Sequence, residues 1–294
     1  MGWRIPRCAP ALFLALLSAA GWGQASAVSP TADTPQKPEA PRPVVVNIQA
    51  FCKTIATSEA HAEALQTACV TALRVSQAMP NYLCDMVVEK TAGFRGTMSR
   101  FPFQKVTARA RFVDGKDTYE DLKVNGKPVT KPNALLEGTW SDGEFGMNLL
   151  LVFKPANETE FHFLGEKKLK HTDAYEFSFA VAKEKNSSWR WTWDNHSIFP
   201  GYAGKIWIAV ADSRILRVDV NSTDGIAKET PMQFSEGKTD FSLVDFHDGT
   251  GYMLPAKVEL RSLLHGNREY RQELKFRDCR KFAATSRIVS DPAK

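Results

Sequence analysis

Beyond its first two dozen residues the chain has no long apolar run, no histidine pair at metal-binding spacing and no phosphate-cradling glycine motif. Each absence removes a class of function. Without a second apolar segment there is no internal membrane helix, which needs about 20 consecutive apolar residues. The histidines at 61, 162, 171, 196, 247 and 265 form neither H-x-x-x-H nor H-E-x-x-H, so no zinc-protease site is spelled out. G-x-S-x-G is missing, which leaves a serine hydrolase without a placed nucleophile. Neither G-x-x-x-x-G-K-[ST] nor G-x-G-x-x-G occurs, so nucleotide binding lacks its cradle. Net charge is small as well. The 38 basic and 33 acidic residues leave +5, and Arg4 and Arg7 in the leader account for two of those charges. This is not the clustered footprint of a nucleic-acid binder. Nothing implies a cofactor or a metal, and nucleic acid is not an expected partner.

What is present begins with an export signal. Arg4 and Arg7 precede an apolar stretch from Ala9 to Ala20, followed by the small-x-small run Ala25-Ser26-Ala27 that signal peptidase reads. Residues 1–27 are therefore expected to be a cleaved signal peptide, with a periplasmic or extracellular mature chain and no transmembrane segment. Cys8 lies before the apolar stretch, so it cannot be a lipidated mature N-terminus. Export makes disulfides the natural state of the other four cysteines. The favoured pairing is Cys52–Cys69, closing a helical hairpin, with Cys84–Cys279 tying the first strand to the last. No C-x-x-C pair argues for zinc.

Prolines at 30, 35, 38, 41 and 43 make residues 28–43 a linker too poor in apolar side chains to fold. A helical hairpin is expected over 44–79. Ile48, Phe51, Cys52 and Ile55 recur at helical spacing, and Ala62, Leu65, Cys69, Ala72 and Leu73 repeat it after an expected cap at Thr57-Ser58. Residues 80–288 read as an antiparallel β domain, with 289–294 a tail. Strands are expected at 82–89, 103–112, 118–124, 160–168, 174–182, 188–193, 204–210, 215–222, 239–246, 253–264 and 269–282. Asn125-Gly126 is a type I′ hairpin signal, and Ser141-x-x-Glu144 opens a short helix over 142–153. The fold class is mainly β (α+β): a large curved antiparallel sheet, open or partly closed, with the helices packed on it.

No catalytic constellation emerges. Asp114, Asp117, Glu120 and Asp121 cluster, and paired carboxylates can cleave glycosides, but around a hairpin they also serve as a solvated edge. Aromatic alternation is the stronger feature. Trp189, Trp191 and Trp193 fall at period two, as do Tyr175, Phe177 and Phe179, and Phe161 and Phe163. On neighbouring strands these rows form one surface. Either the protein's own helices fill it as core, or part of it is a groove for a lipid, an acyl chain or an apolar peptide. The candidate lining residues are Trp189, Trp191, Trp193, Phe177, Phe179 and Trp207, with Trp140 at the rim. A basic run, Lys167-Lys168-Leu169-Lys170-His171, is a solvated turn or a contact for anionic head groups. N-x-[ST] matches stand at Asn157, Asn186, Asn195 and Asn221.

Several stretches also carry a family likeness. Gly204-Lys205-Ile206-Trp207-Ile208 with Ser213-Arg214-Ile215-Leu216-Arg217-Val218 resembles a hairpin of exported bacterial proteins. The same holds for Tyr252-Met253-Leu254-Pro255-Ala256-Lys257-Val258-Glu259, Phe276-Arg277-Asp278-Cys279-Arg280-Lys281-Phe282 and Met79-Pro80-Asn81-Tyr82-Leu83-Cys84. Together they are similar to uncharacterised secreted proteins of acidobacterial type, whose architecture resembles the lipoprotein-carrier fold of LolA, LolB and RseB. The resemblance spans about residues 79–285 and implies a curved sheet whose helix-closed concave side holds acyl chains. It maps no ligand-contact residue, and the helical hairpin and the cysteine pairs depart from it. The expected function is an exported non-enzymatic binding protein for an apolar ligand. A filled-core module that recruits an envelope protein is the alternative, with an envelope hydrolase third.

Overall fold

The computed structural model describes residues 47–113, 116–129, 148–193, 196–223, 230–246 and 251–282. The expected signal peptide, linker and tail lie outside these residues, as do Asp114, Ser141, Glu144, Trp140 and Asn195. No described helix is long and apolar enough to cross a membrane.

Two helices lead in: α1 (Ile48–Cys52) and α2 (Ala62–Ala78). Asn47 caps α1 by accepting a hydrogen bond from the Ala50 amide at 3.1 Å. The expected cap of the second helix at Thr57-Ser58 is not used. The chain turns through His61 in the left-handed region (φ 57°), and α2 starts there without a side-chain cap. The residues before it have other work: Glu59 is committed to a strand, as described below. Leu65, Ala68, Cys69, Ala72 and Leu73 form the buried stripe of α2. The Cys52–Cys69 disulfide joins the two helices into one arm.

Strands follow as β1 (Tyr82–Phe94), β2 (Thr97–Met98), β3 (Gln104–Val113), β4 (Lys116–Val124) and β5 (Lys127–Pro128). After α3 (Asn148–Phe153) come β6 (Glu160–Leu169), β7 (Thr172–Val181), β8 (Trp191–Trp193), β9 (His196–Ile198) and β10 (Tyr202–Ala209). The chain finishes with β11 (Ile215–Ser222), β12 (Met232–Asp245), β13 (Gly251–Leu264) and β14 (Arg268–Lys281). Twelve strands form one sheet in the order β5-β4-β3-β1-β14-β13-β12-β11-β10-β7-β6, with β2 on β1. All pairings are antiparallel, and the curved sheet stays open between β5 and β6. The first long strand lies beside the last, and the Cys84–Cys279 disulfide joins them. The Asn125-Gly126 hairpin forms with both residues at positive φ (48° and 82°), as a type I′ turn needs.

One strand expectation fails. Residues 188–193 do not enter the large sheet; β8 pairs only with β9 in a separate ribbon, and β7 pairs with β6 and β10. The cause is Asn186. Its side-chain oxygen accepts from the Ser188 and Trp189 amides, and its amide donates to the Trp189 and Pro200 carbonyls. That closed turn takes the chain out of the extended conformation.

Pairing register sorts the side chains onto two faces. One cross-strand row reads Val106, Val88, Leu274, Val258, Thr239, Val218, Ile206, Phe177 and Phe163. The adjacent row, one residue along each strand, reads Lys105, Glu89, Glu273, Glu259, Lys238, Asp219, Lys205, Ser178 and His162. The first face is apolar and carries the helices; the far face is charged. Both buried clusters lie on the first face.

Candidate functional site

The aromatic surface expected from the sequence exists, and the helices sit on it. Phe161 and Phe163 on β6 pair with Phe179 and Phe177 on β7, and Phe177 pairs with Ile206 on β10. Phe177 is fully buried and Phe179 is 2% exposed. They share one cluster with Leu65, Ala68, Cys69 and Ala72 of α2 and with Val152 and Phe153 of α3. Gly204 on β10 has to be glycine. A β-carbon there would stand 1.9 Å from the Asp219 carbonyl oxygen and 2.8 Å from the Phe179 ring. A void of about 10 Å³ between α2, β11 and β13 is no larger than a single water needs.

The tryptophans reach this surface by a different route. Trp191 is buried in the ribbon, and Trp189 precedes it in the turn. The Trp189 ring meets Trp191 edge to face at 5.9 Å and Tyr202 of β10 at 5.6 Å. Trp193 lies in β8, and its side chain lies outside the described part. Trp207 is on the wrong side for the expected lining. It pairs with Glu176 and Arg217 on the far face, where the Arg217 guanidinium lies 6.0 Å from its ring. Ile206 and Ile208 occupy the covered face, so period two forces the residue between them outward.

A buried polar knot closes one end of the cover. Asn157 donates to the Leu151 carbonyl (3.0 Å) and the Tyr202 hydroxyl (2.9 Å), while Tyr202 donates to Leu151 at 2.8 Å. The Asn157 side-chain oxygen accepts from the Ser187 amide and hydroxyl. Burial pushes the Tyr202 phenol well above its ordinary range, against the pull of the Asn157 hydrogen bond. Asn157 and Asn186 are buried and engaged, so neither N-x-[ST] match can take a glycan in the folded chain.

The other end of the cover is fastened at β6, which sequence reasoning missed. Glu59, in the turn between α1 and α2, accepts the Phe163 amide at 2.7 Å and faces the His162 ring nitrogen at 3.2 Å. His61 stacks on Tyr175 with centroids 4.2 Å apart. The Phe163 amide, and then His162, hold the Glu59 carboxyl below its ordinary range. A carboxylate with a lowered folded-state pKa supports this contact at every pH above that of a free glutamate and loses it as pH falls through its own pKa. On acidification the Phe163 amide resonance is therefore expected to titrate below the usual glutamate range. In Glu59→Gln that titration disappears, which two-dimensional amide spectra read directly.

The far face carries acidic and basic side chains in close company. Arg217 Nε binds Asp240 at 2.7 Å and lies 4.0 Å from Asp219. Burial pushes the Asp219 carboxyl up to about 6, although Arg217 and Lys238 pull against it. Burial also opposes charge on Asp240, but hydrogen bonds from Arg217 and Lys170 outweigh it and hold that carboxyl below its ordinary value. Glu269, only 1% exposed, is gripped by Arg261 at 3.0 Å and Arg271 at 2.7 Å. Beside it, strands β1, β14, β13 and β12 floor a groove of about 530 Å³, walled by Arg100 and Pro102. Its charges were legible as Lys257-x-Glu259-x-Arg261 and Glu269-x-Arg271-x-Glu273-x-Lys275, a period-two ladder that only register could assemble. Two members of the acidic cluster are ion-paired across β3 and β4: Glu120 with Arg111, and Asp121 with Arg109 at 3.2 Å.

No family model and no curated protein matches the chain. Solved structures do. The chain is similar to an outer membrane lipoprotein-sorting protein domain from Vibrio parahaemolyticus, with 12% identity over 73% of this chain and 92% of that one, at a TM-score of 0.39. It is similar to a LolA superfamily protein from Nitrosomonas europaea at 9% identity, over 75% and 98%, with a TM-score of 0.35. A DUF1329 family protein from Desulfovibrio piger gives 12%, 74% and 92%, with a TM-score of 0.38.

Proposed function

We propose that the protein is an exported, non-enzymatic binding protein whose apolar sheet face takes a lipid-like or acyl chain in place of its helical arm. The observation that carries this reading is an asymmetry of the cover. The sheet contributes large rings (Phe161, Phe177, Phe179), whereas three of the five residues in the buried stripe of α2, Ala68, Cys69 and Ala72 between Leu65 and Leu73, are small and bury little area each. The arm is joined to itself by Cys52–Cys69 and to the sheet edge by Glu59 and His61. Lifting it as a unit about Met79–Asn81 would bare an aromatic face without breaking one strand pairing.

A filled-core module is the second reading, and the void of about 10 Å³ favours it. Hydrogen exchange with and without a lysophospholipid below its micelle concentration separates the two. A carrier exchanges the amides of α2 well before those of β10 and β14, and binds the probe saturably. Its Glu59→Gln variant binds more tightly, because the closed state is less favoured. If α2 exchanges only with the whole sheet and no saturable binding occurs, the arm is core and the carrier reading falls.

A further inference from the structure

Among the described residues, the turn between β1 and β3 holds the two most exposed phenylalanine rings. In Phe94-Arg95-Gly96-Thr97-Met98-Ser99-Arg100-Phe101-Pro102-Phe103, Phe101 is 79% exposed and Phe94 62%. The protrusion is tied down along its length. Phe103 donates its amide to Lys90, Arg95 donates its amide to Asn267, and the Ser99 hydroxyl bridges the amide and carbonyl of Phe101. Gly96, at φ 89°, makes the reversal. Rings held outward at that cost in apolar exposure mark a contact surface.

Its charge is of one sign. Arg95 and Arg100 are exposed in this turn, and Arg268, the first residue of β14 and the cross-strand partner of Phe94, is exposed beside it. Residues 94–103 and 265–268 contain no carboxylate. Glu269, the next one along the chain, is already bound by Arg261 and Arg271. Arg100 also forms a wall of the far-face groove, with Lys238 on its floor. Within that groove Glu89, Glu236, Glu259 and Glu273 are each ion-paired, whereas Arg100 makes no ion pair among the described residues. The surplus at this end of the sheet is positive.

We propose that this turn docks the protein on an anionic phospholipid surface. Phe94 and Phe101 enter the boundary between head groups and acyl chains, and Arg95, Arg100 and Arg268 meet the phosphates and anionic head groups. Exposed rings framed by unneutralised arginines are what such an interface selects.

Sedimentation of the mature protein with phosphatidylglycerol/phosphatidylcholine vesicles, against phosphatidylcholine alone at low salt, tests it. Binding is expected with the anionic vesicles only, falling as salt rises. Each arginine removed lowers partitioning about fivefold, so Arg95→Gln/Arg100→Gln loses well over tenfold. Phe94→Ser/Phe101→Ser loses at least tenfold, and both variants keep a melting temperature close to the parent's because these side chains are mostly exposed. Lys167→Gln/Lys168→Gln, which removes two charges from the opposite end of the sheet, leaves binding unchanged. Equal loss in that lysine variant, undiminished binding in either loop variant, or no vesicle binding while residues 94–103 capture a protein overturns the proposal.

Discussion

Removing the Cys84–Cys279 disulfide as Cys84→Ala/Cys279→Ala is expected to lower the melting temperature by roughly 10 °C or more, since it frees a loop spanning 195 residues. In the chain-entropy account, closing a loop of that size is worth about 5 kcal/mol, against about 3 kcal/mol for the 17-residue Cys52–Cys69 loop. The difference in kind matters more than the difference in size. Cys84 and Cys279 hold β1 beside β14, the pairing with the longest reach along the chain and one that the rest of the sheet is built around. Cys52–Cys69 holds only the arm to itself. Calorimetry of the two double variants should therefore show a global shift for the first. The second should show a smaller shift, with exchange confined to α1 and the start of α2. Equal global shifts would mean that the arm is as integral to the fold as the β1–β14 seam.

How much of this was legible from the residues depends on how local each signal is. Strands written by alternation and bounded by turns, such as β11 and β13, stand almost where their side chains place them. The Asn125-Gly126 turn is as local as a signal can be, and it forms. Residues 188–193 mislead because alternation is only half of what makes a sheet strand. The Asn186 turn before them commits the backbone elsewhere, and no period count contains that. Trp207 misleads for the opposite reason. Its aromatic ring suggested the apolar side, yet the two isoleucines flanking it had already claimed that side. The Glu59 latch and the far-face groove were out of reach. Glu59 and Phe163 lie 104 residues apart, and the groove is made by four strands whose order is a tertiary fact.

The two faces of the sheet predict their own contrast, and it is the sharpest check on which one would take the proposed ligand. Phe177→Ala empties a fully buried site where β6, β7 and β10 meet the helices. A cost of about 3–5 kcal/mol is expected, because close neighbours such as Ile206 and Phe163 are pinned by strand pairing and cannot collapse into the gap. Trp207→Ala, two strands from the β6 edge but pointing the other way, loses a half-exposed ring and its Arg217 contact, worth about 1 kcal/mol. Arg217 keeps Asp240 in either case. Urea unfolding of the two variants measures both numbers with a common slope. The same pair separates stability from binding: a lipid probe seated on the covered face is displaced or loosened by Phe177→Ala and indifferent to Trp207→Ala. A probe whose affinity follows Trp207 instead would place the ligand among the charges of the far face, and the aromatic rows would then be core alone.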